Sequence, residues 1–83
     1  KSLPDNHPDL ATSYNNIAQV YYSMGEYQTA LTYHKKSLAI RQKSLPDTHP
    51  DLATIYNNIS QSYYNMFEYE KASFYRKRGN EVN

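Results

Sequence analysis

The side chains in this sequence with chemistry to offer are amides, hydroxyls and phenols, and they come in two matched sets. Thr12, Asn15, Asn16, Gln19, Tyr22 and Ser23 are followed at the same spacing by Thr54, Asn57, Asn58, Gln61, Tyr64 and Asn65. Such groups donate and accept hydrogen bonds but are neither nucleophiles nor charged at neutral pH, so their chemistry is recognition of other hydrogen-bonding groups. Asn is a poor residue for the middle of a helix, and bearing that propensity cost twice is odd for an idle surface. Groupings that carry catalysis are absent from the sequence: it has no cysteine, no Gly-rich phosphate loop, no nucleophile with a base and no paired carboxylates. Of the three histidines, His7 and His49 stand in equivalent turns and His34 stands alone, so no cluster has metal-ligand spacing. No enzyme activity, cofactor or metal is expected.

The matched sets belong to a longer duplication. Lys1 to Thr12 returns as Lys43 to Thr54, and aligning residues 1–35 with 43–77 gives 24 identities and 11 differences. A fixed period of roughly 20 to 50 residues marks an architecture of stacked units, each burying its apolar face against its neighbours.

Each unit reads as a pair of helices. Leu10, Tyr14, Ile17, Ala18, Tyr21 and Met24 form an amphipathic stripe, with Pro8 at the start and Asp9 in the first turn, where a missing N–H and a carboxylate both suit a helix N-terminus. Gly25 breaks the pattern, and Tyr27, Ala30, Leu31, His34 and Leu38 begin a second stripe that Pro46 ends. The spacing predicts helices over about 8–24 and 26–45, and in the second unit over about 50–66 and 68–82. The expected fold is all-α, two antiparallel helix hairpins stacked side by side, with units at 1–42 and 43–83 forming one domain. Small Ala18, Ser60, Ala30 and Ala72 would let the paired helices approach closely, and Tyr21, Tyr27, Tyr63 and Tyr69 would fill the core.

Composition narrows the function classes. Nine basic and eight acidic residues give a net charge of +1, split four against three in the first unit and five against five in the second. Neither half is a basic patch, so nucleic acid is not an expected partner. No apolar run approaches the roughly 18 to 20 residues of a membrane span. A soluble, intracellular and cytoplasmic protein is the expectation, and the lack of cysteine fits a reducing compartment.

Tyr14-Asn15-Asn16-Ile17-Ala18, Tyr21, Gly25-Glu26-Tyr27, Ala30, Tyr33 and Ser37-Leu38 resemble the tetratricopeptide repeat pattern. The 42-residue period, the His-Pro-Asp tripeptide and the Asn pair resemble the long variant of kinesin light chains. The resemblance implies a segment of right-handed helical superhelix whose first helices line a concave face that binds peptides or partner proteins, a scaffold role. It places the twelve amide, hydroxyl and phenol residues named above on that face. Family members that clamp a terminal carboxylate use Lys or Arg on the first helix, and neither 9–24 nor 51–66 contains one. His7-Pro8-Asp9 and His49-Pro50-Asp51 are similar to the tripeptide of J-domain co-chaperones, but their recurrence at each helix start is explained by capping.

The copies also differ. Phe67 replaces Gly25, so the second turn cannot rely on a left-handed glycine and is expected to close some other way. Residues 36–41 and 78–83 share no identities, His34 becomes Arg76, and Ser37-Leu38-Ala39 becomes Gly79-Asn80-Glu81. This polarity resembles a terminal cap, while Lys1-Ser2-Leu3 matches the tail of a missing second helix. The chain is therefore expected to be part of a longer array and to be weakly stable or self-associating alone. The alternative function is a structural segment whose open faces stack on other copies, a homo-oligomer with no peptide ligand.

Overall fold

The computed structural model describes residues 8–46 and 49–82, and within them every regular element is a helix: α1 (Pro8–Ser23), α2 (Tyr27–Ser44), α3 (Pro50–Asn65) and α4 (Tyr69–Glu81). The bounds lie within a residue of those the spacing predicts, and local chemistry sets them. Leu45 ends α2 in an extended conformation, as a residue before proline should. At the start of α3, His49 Nδ1 accepts from the Asp51 N–H at 3.1 Å while Pro50 takes the first helical position. His7 lies outside the described residues.

Both hairpins turn in the same way. In the first, Glu26 N–H donates to Tyr21 O at 2.9 Å and Gly25 N–H to Tyr22 O at 3.0 Å; in the second, Glu68 donates to Tyr63 at 2.9 Å and Phe67 to Tyr64 at 3.0 Å. This is a Schellman closure, which needs a left-handed residue after the helix. Gly25 has φ 79° and Phe67 has φ 65°. The expectation that Phe67 forces another closure is therefore corrected: the same two hydrogen bonds are made, and Phe67 accepts a backbone conformation that a Cβ disfavours.

Within each hairpin, small residues let the helices touch. Ala11, Ala18 and Ala30 are fully enclosed, and Ser37 Oγ donates to Ala11 O at 3.0 Å. The second hairpin reverses the device: Ser60 on α3 donates to Ala72 O on α4 at 2.7 Å, and Gly79 takes the place of Ser37. A Cβ on Gly79 would meet Asn57 Oδ1 at 2.9 Å and Ala53 O at 3.4 Å. Ring pairs recur too, with Tyr21 stacked on Tyr33 and Tyr63 on Tyr75, their centroids 6.0 and 5.6 Å apart.

The hairpins join where α2 meets α3. Leu31 and Leu38 of α2 share a core with Leu52, Ile55, Tyr56, Ile59 and Tyr63 of α3. Lys35 Nζ donates to the Tyr63 hydroxyl at 2.7 Å, Gln42 Nε2 donates to the Tyr56 hydroxyl at 3.1 Å, and Arg41 lies 4.0 Å from Asp51. The hydrogen bond to Tyr63 is the main influence that raises the Lys35 pKa. His34, 1% exposed, is buried with both ring nitrogens lacking a partner, and burial lowers its pKa to about 4.

Three core expectations fail for one physical reason each. Ile17 is 39% exposed and Met24 59%, because no described helix covers that side of α1 as α2 covers α3. Tyr69 is 53% exposed and leans edge-on against Tyr64 instead of entering the core. Tyr27, in the equivalent place, is half-buried against Tyr22.

Candidate functional site

A cavity of about 630 Å³ lies between α3 and α4 and extends to the end of α1. Asn57, Ser60, Gln61, Tyr64 and Asn65 line it from α3; Tyr69, Ala72, Ser73 and Arg76 from α4; and Tyr22 from α1. The four-residue steps from Asn57 to Gln61 to Asn65 put three carboxamides on one face of α3, in a row about 12 Å long. The Ser60 bond to Ala72 O forms part of the floor, and the edge-on Tyr64–Tyr69 pair, 5.2 Å between centroids, forms one wall.

Asn65 ties the wall together. Its Nδ2 donates to Gln61 O and to the Tyr22 hydroxyl, both at 2.9 Å, bridging the hairpins. Tyr22 is held in turn by Tyr27, edge-on at 5.2 Å. None of the ten lining residues is acidic, and Arg76 brings the cavity's single formal charge. Arg76 has no hydrogen bond, ion pair or ring contact among the described residues.

Of the twelve residues named from the sequence, this cavity gathers Tyr22, Asn57, Gln61, Tyr64 and Asn65. The other seven stand apart from it. Asn16, Gln19 and Ser23 are exposed along α1, and Asn58 is half-buried on α3. Thr54 Oγ1 is exposed and lies 3.5 Å from Pro50 O, while Thr12 accepts from Arg41 Nη2 at 3.0 Å and so ties α1 to α2. Asn15 is half-buried and its Oδ1 has no partner. It is the counterpart of Asn57.

Sequence reasoning missed the wall that α4 supplies, including Arg76, which it noted only as the counterpart of His34. The signal was present in the repeat register. Ser73, Arg76 and Asn80 are exposed, and their counterparts Leu31, His34 and Leu38 are buried beneath α3. A residue set that is covered in one copy and uncovered in the other outlines an open groove.

Among the described residues no three His, Cys, Asp or Glu side chains are placed to hold a metal ion, and no helix is long and apolar enough to cross a membrane. No curated protein matches the chain in sequence. The family model for the tetratricopeptide repeat matches residues 9–79. With that match covering most of the chain and four helices in two stacked hairpins, the protein belongs to the tetratricopeptide repeat family, whose repeats are non-enzymatic modules that generally mediate protein–protein interaction.

Proposed function

We propose that this protein is a scaffold module that binds an extended peptide of a partner protein along α3, with α4 and the end of α1 as the flanks of the groove. The observation that carries this reading is the cavity itself: three carboxamides and three phenols line one space between α3, α4 and the end of α1. Carboxamides in a row can donate to and accept from successive peptide groups, and tyrosine rings provide contact area at little entropic cost. We also read the units, divided near residue 42, as the long repeat variant of the kinesin light chain type, on the strength of the 42-residue period.

The test is peptide selection from a displayed library, followed by affinity measurement in solution. Asn57→Ala combined with Gln61→Ala should weaken a selected peptide at least about tenfold, since two hydrogen bonds at about 0.5 to 1.5 kcal/mol each are removed. Melting should change little, because both side chains are exposed. Unchanged affinity in a folded double variant sinks the groove reading.

A second reading rests on a different surface. Ile17, Val20 and Met24 form an uncovered apolar stripe on α1, of the kind through which copies associate. Val20→Glu should then abolish any concentration-dependent assembly seen by sedimentation while leaving peptide binding intact. A wild-type chain that stays monomeric at hundreds of micromolar removes this reading.

A further inference from the structure

We infer that the cavity between α3 and α4 takes an acidic side chain of the bound peptide, with Arg76 as its counter-charge. This rests on the peptide-binding reading and adds the chemistry of one ligand residue to it.

The argument begins at the equivalent place in the first hairpin. His34 occupies the position of Arg76 and is buried, on a helix whose Leu31 and Leu38 share a core with Ile55 and Ile59 of α3. That burial is possible because His34 can shed its charge, as its lowered pKa records. Arginine cannot do so, because its guanidinium stays charged in proteins. A helix with the same apolar face laid over α4 would trap a guanidinium with nothing to pair it, at a cost of several kcal/mol. The groove of the second hairpin is therefore closed to an apolar helix, including α1 of another copy, which would bring Ile17 and Val20 to the same place.

What fits instead must supply a negative charge. Arg76 has none within reach on its own helix: Ala72, Ser73, Gly79 and Asn80 stand three and four residues away. Lys71, by contrast, lies 3.9 Å from Glu68. Across the groove stand amides and phenols, so a ligand carboxylate would find one planar guanidinium for bidentate pairing with neutral donors around it. One positive charge balances one carboxylate. A phosphate dianion would remain undercompensated. The amide row spans three or four extended residues, so the acidic residue is read as internal, with main chain continuing past it.

The test uses arrays of blocked nonapeptides with a central Glu, Gln or phosphoserine and randomised uncharged flanks, beside a set ending in a free carboxylate. Labelled full-length chain should prefer the Glu set over the Gln set by about fivefold at low salt, the size of a partly exposed ion pair. Arg76→Gln should erase that preference while helicity by circular dichroism is unchanged, and Arg76→Lys should keep part of it. Equal binding of the Glu and Gln sets overturns the inference and leaves the peptide reading standing. Binding of neither overturns both. Preference for phosphoserine or a terminal carboxylate overturns the choice of an internal acidic residue, and assembly of the wild type that Arg76→Gln abolishes would assign the cavity to a second copy.

Discussion

The two hairpins are near-copies in sequence, yet the same residue does different work in each. Ile59 is fully enclosed and Ile17 is 39% exposed, though both directly follow a Tyr-Asn-Asn run. The difference is the neighbour: α2 lies over α3, and no described element lies over that side of α1. A repeat of this kind carries half of each seam, and burial belongs to the seam. Substitutions between copies follow the same logic. Val20, on the uncovered side, is Ser62 in the seam, where its hydroxyl is buried without a partner. We have no physical account of that exchange.

The widest separation between the copies should come from matched truncations. Ile59→Ala removes a fully buried side chain at the joint of both hairpins and is expected to cost about 3 to 4 kcal/mol, whereas Ile17→Ala should cost less than about 1 kcal/mol. Denaturant unfolding of the two variants measures this directly. Similar losses would mean that the face of α1 is covered in solution, which the assembly reading requires.

His34 sharpens the comparison next. Its ordinary pKa of 6.5 falls to about 4 in the fold, so above pH 6.5 the ring is neutral in both folded and unfolded chains and contributes no pH dependence. As pH falls from 6.5 towards 4, the unfolded chain takes up a proton that the folded chain refuses, and stability drops with it. The loss approaches about 3 kcal/mol below pH 4. His34→Leu should flatten that slope and raise stability at neutral pH, because it removes two unpartnered buried nitrogens. Chemical unfolding between pH 7 and 4 for wild type and variant separates these outcomes.

Much of the fold was legible in the sequence because its signals are local. Proline before each first helix, stripes at helical spacing and the 42-residue period need only the chain itself. Candidate site residues were harder to place because they depend on which face a neighbour covers. Asn15 and Asn57 share the same Tyr-Asn-Asn-Ile run, yet one is half-buried and the other lines an open cavity. Arg76 was passed over for the same reason. Read as one more cation on a second helix, it is solvated surface; read in register with His34, it lies in the groove.

The smallest expected effect concerns the two turns, where the copies share a geometry and differ in the residue that bears it. Phe67 is 78% exposed with φ 65°, so the fold keeps a left-handed phenylalanine while gaining little burial from its ring. Its ring does meet Tyr69 edge-on at 6.3 Å, a contact worth about 0.5 kcal/mol at an exposed site. Against this stands a left-handed penalty of roughly 1 to 2 kcal/mol, which glycine avoids, partly offset by the greater freedom of glycine in the unfolded chain. Phe67→Gly is therefore expected to raise stability by up to about 1 kcal/mol, and Gly25→Phe to lower it by about the same amount or more. Space is not the obstacle at Gly25, since a Cβ there meets nothing within 4 Å, so a loss would report the backbone conformation itself. If Phe67→Gly instead destabilises the chain, the ring contributes more to the Tyr64–Tyr69 wall of the cavity than its exposure suggests, and the turn would have to be counted as part of the groove.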